Sequence, residues 1–285
     1  MLGRTLLERK SNERLSARRR KKRRRAFVAL GILIFLLLCA CVWGLRQSAV
    51  RISHVSIFGA DQSFATIATT AMQGNYFDIV PRNSTFFFPE TKIRADLLAA
   101  HPDISAVSLS RNGMTGLSIT MAYRVPIARW CGSTNLEQAS STFATSSPAE
   151  SCYLFDANGF IFATTSAITP VNSFMVYEPQ SGGPIGSTLP NAAEFPPAFS
   201  FARQLAAFGS PVSAIVFRAD EVDDYLASPA GGGVSGTRIT YVLGDEQNAF
   251  TALSSARDDF NLTDGSVEYI DLRFDGKVYV KKKND

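Results

Sequence analysis

The sequence predicts an α+β protein carried on a single N-terminal membrane helix. Three observations lead there. A run of basic residues meets a stretch of twenty residues without charge. Residues 50–124 then read in the order strand, helix, helix, strand, strand. From residue 125 onward the pattern is strand-rich, with two helical stretches.

Nine of the twelve residues from Arg14 to Arg25 are Arg or Lys, among them Arg18, Arg19, Arg20, Lys21, Lys22, Arg23, Arg24 and Arg25. The next twenty, AFVALGILIFLLLCACVWGL, suffice for an α-helix to cross a bilayer core. Trp43 lies near the far end, where an indole favours the headgroup layer. The positive-inside rule assigns residues 1–25 to a cytoplasmic tail, 26–45 to the plasma membrane and the rest to the exported side, periplasmic or extracellular. The net charge of +4 hides this split. Residues 1–25 hold twelve Lys/Arg against two acids, and the remainder seventeen against twenty-three. Chemically, the basic run suits nucleic acid or anionic lipid. Because it abuts the span, it reads as a topology determinant beside membrane lipid, with no nucleic-acid partner.

A cleaved signal fits poorly, since its apolar core runs about 7–15 residues and ends at a small-residue site. Leu38-Cys39-Ala40-Cys41 loosely resembles a lipoprotein cleavage box, but Cys39 suits the second position badly and apolar residues continue to Leu45. In the span, Cys39 and Cys41 read as small apolar filler. Cys131 and Cys152 fall in the exported part, where disulfides persist. They end one strand, VPIARWC, and begin another, CYLFDANG, around a polar insert at 132–151. A disulfide there would staple a long hairpin; free thiols are the alternative. Zinc needs more ligands than two Cys and two distant His supply.

The exported elements follow in order. VRISHVSIFG (50–59) alternates as a strand and ends in Gly. Ser63 can cap a short helix over 64–73. Residues 75–88 read as a loop with apolar anchors. Pro89 opens a helix over 90–100, with Ile93, Leu97 and Leu98 on one face, and Pro102 closes it. Strands over 104–110 and 117–123 flank an Asn112-Gly113 turn. Beyond Arg124, strands are expected over 126–131, 152–155 and 160–165, a loop over 166–193 and a helix over 193–208 interrupted early by Pro196-Pro197. A strand follows over 212–218, then a turn over 226–236, a strand over 237–243 and a helix over 246–260. A last hairpin pairs 267–273 with 277–281 around Asp275-Gly276. Asp220-Glu221-Val222-Asp223-Asp224 lacks EF-hand spacing and reads as a solvated loop.

A strand directly after the membrane helix, two helices and a hairpin form the layout of a POTRA module, a docking unit of other proteins. The resemblance extends further along the chain. VRISHVSIFG, LLAAHPDISAVSLSR, YRVPIARW, YLFDANGFIF and VEYIDLRFDGKVYVK resemble, in order, stretches of the FtsQ/DivIB family of bacterial cell-division proteins. The resemblance implies a POTRA domain at 50–124, a β domain at 125–281 and a short tail at 282–285. It implies a non-enzymatic bitopic scaffold of the divisome at the septum. Its partners would be small single-span coiled-coil proteins of the FtsB/FtsL type. Three features depart from the family pattern: the long 132–151 insert, His101 before Pro102 and the long inter-helix loop.

The implied partner route is strand addition to the C-terminal edge. Tyr269, Asp271, Arg273, Phe274, Lys277 and Tyr279 are the candidate contacts, with Ile270 and Leu272 facing the core. The alternative is that this hairpin only completes the sheet, Arg273 pairing with Asp271 or Asp275.

Catalytic signals are weak. His54 and His101 have no nucleophile motif, and no G-x-S-x-G occurs. Gly231-Gly232-Gly233 lacks the Lys-Ser/Thr of a phosphate loop. Asn83-Ser84-Thr85 and Asn261-Leu262-Thr263 fit a glycosylation pattern, which a bacterial reading makes irrelevant. No cofactor, metal or small-molecule substrate is expected. A POTRA-bearing factor for envelope transport, secretion or lipoprotein assembly is the other function class.

Overall fold

The computed structural model describes residues 3–132, 152–165, 168–227 and 234–283, with side chains from Lys22 in the first helix and from Thr237 in the strand beginning at Val234. The insert between the cysteines and the centre of the 226–236 turn lie outside the described residues. The chain is mixed α+β and forms two compact units, Met1–Ala100 with Ala106–Ala122, and His101–Ser105 with Tyr123–Asp285.

In the first unit, α1 runs unbroken over Gly3–Leu45. The basic tail continues the helix because Arg, Lys, Leu and Glu are good helix formers and no proline interrupts them. The uncharged part of Lys22–Leu45 is exposed along nearly all of its length, and it is long and apolar enough to span a membrane. The uncharged segment is about 30 Å long at 1.5 Å per residue, which matches a hydrocarbon core.

A three-stranded sheet follows, in the order β1 (His54–Phe58), β5 (Gly116–Tyr123), β4 (Ile104–Asn112). β1 pairs β5 in parallel, His54 opposite Gly116 and Phe58 opposite Thr120. Gly59 ends β1 at φ 84°, where a Cβ would lie 2.4 Å from the Met121 carbonyl oxygen; only glycine fits. Helices α2 (Ala65–Ala71) and α3 (Glu90–Ala100) pack on each other, α2 also against β1. Ile52, Ala68, Ile93, Leu97, Leu117 and Ile119 are buried. The expected loop 75–88 contains a two-strand ribbon, β2 (Asn75–Tyr76) with β3 (Val80–Pro81).

The second unit is built on a nine-stranded sheet, ordered β14-β13-β12-β11-β10-β9-β6-β7-β8. Its strands are β6 (Ala128–Trp130), β7 (Tyr153–Phe155), β8 (Ile161–Thr164), β9 (Met175–Tyr177), β10 (Val212–Arg218), β11 (Glu221–Ala227), β12 (Val234–Val242), β13 (Val267–Asp271) and β14 (Tyr279–Lys282). Two connections run between parallel neighbours, β9 to β10 and β12 to β13, and such pairs need a crossover. Helix α4 (Phe195–Ala207) makes the first and α5 (Glu246–Ser255) the second. Pro196-Pro197 occupy the first turn of α4, where a missing N–H costs nothing.

Both helices bury their apolar faces on one side of the sheet. Phe195 of α4 stacks on Phe199 at 5.4 Å and meets Phe155 and Phe217, each at 5.3 Å. Phe201 meets Tyr241 at 4.4 Å. Ile215 and Phe217 face these helices, while Ala214 and Val216 face the other side with Tyr177 and Cys131. Cys131 and Cys152 are disulfide-bonded there, their Cα atoms 4.3 Å apart.

Two regions expected as loop are strands. Met175–Tyr177, inside the 166–193 loop, lies between β6 and β10, parallel to both. The acidic run forms most of β11, paired with β10 and β12. Asp223 and Asp224 are 2% and 0% exposed. Asp223 is paired with Arg218 and accepts from Thr240 Oγ1 at 2.6 Å. Asp224 lies opposite Ile215 and Ile239, with no hydrogen-bond partner for either oxygen among the described residues. Burial, reinforced by Asp223 and Glu246, pushes its carboxyl well above the ordinary range. A neutral carboxyl is the form that such a site tolerates, and hydropathy read from sequence does not anticipate it.

Arg124 closes the base of this unit. Its guanidinium pairs with Asp156, donates to the Pro102 carbonyl at 2.9 Å and lies 4.0 Å over the Phe160 ring. Asp156 also accepts from the amides of Asn158 and Phe160, shaping the Asp156–Gly159 turn.

Two outcomes follow for stability. Glu178, next to β9, is 1% exposed, and burial raises its carboxyl from 4.5 to about 6 although the Asn191 amide donates to it. The native state therefore holds a proton that the unfolded chain has released. Its contribution is complete below pH 4.5 and is lost as pH rises to about 6. Glu178→Gln is expected to remove that fall in urea titrations across this window; an unchanged slope would refute the assignment. Reducing the disulfide, which closes a separation of 21 residues, is expected to cost about 3 kcal/mol in chemical unfolding with and without reductant.

Candidate partner-binding edge

Among the described residues, β14 is one end of the nine-stranded sheet and pairs only with β13. An edge strand leaves one row of backbone N–H and C=O groups without a neighbouring strand. The register sets Asp271 opposite Tyr279, Ile270 opposite Val280 and Tyr269 opposite Lys281, with an irregularity between Val267 and Tyr269. Alternation then sorts the side chains. Ile270 is fully buried and Leu272 is 4% exposed, so the hairpin is anchored in the core. Tyr269 and Asp271 are half-buried, and Arg273, Phe274, Lys277 and Tyr279 are exposed.

The turn is held by a compact charge cluster. Arg273 bridges Asp271 and Glu221, each at 2.6 Å. The Arg273 bond holds the Asp271 carboxyl below the ordinary range, and Asp271 and Glu221 push the guanidinium further up. Glu221 belongs to β11, fifty-two residues earlier, and no sequence signal linked it to the hairpin. Gly276, at φ 64°, completes the turn, closed by the Lys277 amide on the Phe274 carbonyl at 2.9 Å. Phe274 and Tyr279 meet edge-on at 5.3 Å, both about half exposed.

Tyr269 is flanked by cations. Arg238 lies 5.6 Å from its ring centroid and Lys281 5.8 Å, with Lys281 also paired to Glu268 at 2.9 Å. Beside the turn, α5 and the hairpin enclose an open groove of about 640 Å³, lined by Asn248, Thr251, Ser255, Asp275, Gly276 and Val278 among others. The edge thus offers backbone groups, two aromatic rings, a row of lysines and a shallow groove. That set suits docking of an extended or helical segment.

The other residues singled out in the sequence lie apart from this edge. Lys22, Arg23, Arg24 and Arg25 are exposed on α1, while the side chains of Arg18, Arg19, Arg20 and Lys21 lie outside the described residues. Among the described residues, no group of three or more His, Cys, Asp or Glu could hold a metal ion.

Ile270→Asp, which puts a charge at a fully buried position, is expected to destabilise the protein by about 4 kcal/mol or more. Tyr279→Ala is expected to cost under about 1 kcal/mol. Denaturant unfolding checks both, and an equal loss would show that Tyr279 is part of the fold. Neither a protein-family model nor a curated protein sequence matches this chain.

Proposed function

We propose that the protein is a non-enzymatic single-pass membrane scaffold of the FtsQ/DivIB type. It would link division proteins at the bacterial septum by capturing FtsB/FtsL-type partners on β14. The observation that carries the reading is the edge itself. Among the described residues, a nine-stranded sheet ends on a strand whose outer backbone is open, with Phe274 and Tyr279 exposed beside it. An added strand would gain main-chain hydrogen bonds from β14 and side-chain contacts from these rings.

Two further features support it. The β1-β5-β4 sheet, with β1 parallel to β5 and helices α2 and α3 between them in the chain, has the order expected of a POTRA module. The basic run ahead of a span-length helix suits a cytoplasmic tail and an exported body. Lys281, Lys282 and Lys283 discourage edge-to-edge association of copies while leaving the edge open to an acidic partner.

The test combines imaging with capture. A fluorescent fusion on the N-terminus is expected to form a midcell band in dividing cells. The Phe274→Ala/Tyr279→Ala variant is expected to keep its unfolding midpoint yet co-purify far less of the small single-span coiled-coil proteins. Uniform envelope signal, or undiminished capture by the variant, overturns the proposal.

A further inference from the structure

We propose that the β2–β3 hairpin is a second membrane contact, its tip seated in the headgroup layer beside the point where α1 emerges. This inference rests on the reading of α1 as a membrane span.

The hairpin is unusual in its turn. Asn75 pairs with Pro81 and Tyr76 with Val80, and the Ile79 amide bonds the Tyr76 carbonyl at 3.0 Å. The two central residues, Phe77 and Asp78, have φ of 49° and 57°. Turns with both central residues of this hand favour Asn-Gly or Asp-Gly there, because a side chain strains left-handed backbone. Phenylalanine at the first position is disfavoured locally, and here it gains nothing from packing: Phe77 is 94% exposed. Ile79 beside it is 50% exposed. A strained backbone that presents an apolar ring to the outside calls for an apolar environment beyond the protein.

The position of the hairpin says which environment that is. Arg46 is the first residue after α1, and its guanidinium donates to the carbonyls of Asp78 at 3.3 Å and Ile79 at 3.2 Å. The first cation past the apolar segment is thus used to hold the turn against the helix end. Trp43, 70% exposed, sits one turn earlier, at the level where indole rings favour the interface. The headgroup layer is roughly 5–8 Å deep on each side of the core. A turn clasped by the residue that leaves the core falls within it. Arg82 lies over the Tyr76 ring at 5.1 Å and puts a second cation beside the turn. Aromatic tip, aliphatic neighbour and flanking arginines are the chemistry of an interfacial anchor. Such a contact would restrict the first unit's orientation on the bilayer beyond what one helix can do.

The test uses the full chain in phosphatidylcholine/phosphatidylglycerol vesicles, with Cys39→Ala and Cys41→Ala leaving the disulfide as the other cysteines. An environment-sensitive dye is placed at Ile34→Cys in the span or at Asn75→Cys on the hairpin, with Phe77 intact. The Ile34 dye is expected to be quenched by acyl-chain nitroxides. The Asn75 dye is expected to be quenched by headgroup-level nitroxides and shielded from aqueous iodide. Phe77→Asn, which suits left-handed backbone, should keep the circular dichroism spectrum and reduce that headgroup quenching severalfold. An Asn75 dye that iodide alone reaches, with Ile34 in lipid, overturns the hairpin contact and leaves the span standing. Quenching that survives Phe77→Asn overturns the role of the ring. An Ile34 dye reached only by iodide refutes the span, and this inference with it.

Discussion

A three-residue strand joins the two parts of the large sheet. Met175–Tyr177 pairs in parallel with β6 on one side and β10 on the other. Without it the sheet would divide into β6-β7-β8 and the five strands from β10 to β14, each with a raw edge in the middle of the unit. The strand is held by its flanks. The Trp130 indole donates to the Glu178 carbonyl at 3.0 Å, the Cys131 amide to Val176 and the Glu178 amide to Gly132. Phe174 packs edge-on against Phe199 of α4 at 4.9 Å, which fixes the strand against the helix layer. The disulfide secures β6 to β7 next to this seam.

Once the sheet is continuous, its polarity follows. The helices cover one face because both crossovers step the same way across the sheet between strands of the same direction. The other face carries the disulfide cluster and the Arg218–Asp223–Arg238 group. Closure at one end through Arg124 and Asp156 leaves β14 as the opposite edge, where the exposed aromatic pair stands. The two edges differ in chemistry. β8 has Ile161 and Phe162 buried, whereas every residue of β14 reaches solvent at least in part. That asymmetry makes the C-terminal hairpin the more accessible of the two edges.

The first unit solves a different problem. Its sheet is small, and its inner positions, Ile93, Leu97, Leu117 and Ile119, are sealed. Apolar side chains stay exposed at several places in it, Phe58, Phe87 and Met114 among them, and most fully at Phe77 on the turn beside the helix end. An isolated exposed hydrophobe needs no explanation, but one on a left-handed turn clasped by Arg46 does.

Much of this architecture is legible in the chain. The uncharged twenty residues behind a basic run specify a span-length helix, because no charge interrupts them. Period-two alternation marks β1, β10 and β13, and Pro89 marks where a helix begins, because proline restricts backbone geometry locally; Pro196-Pro197, which read as an interruption, instead form the first turn of α4. The buried and exposed sides of the last hairpin, Ile270 and Leu272 against Arg273 and Tyr279, follow from the same alternation. Tertiary structure alone decides the rest. β9 is too short and too surrounded by Gly, Pro and Ser to signal a strand; it exists because two neighbours supply its hydrogen bonds. β11 reads as solvated acid because its charges count as exposed in sequence. In the fold they are paired from Arg218 and Thr240 or neutralised by burial. Glu221 reaches Arg273 only because β11 and β13 flank β12, a juxtaposition that spacing along the chain does not encode.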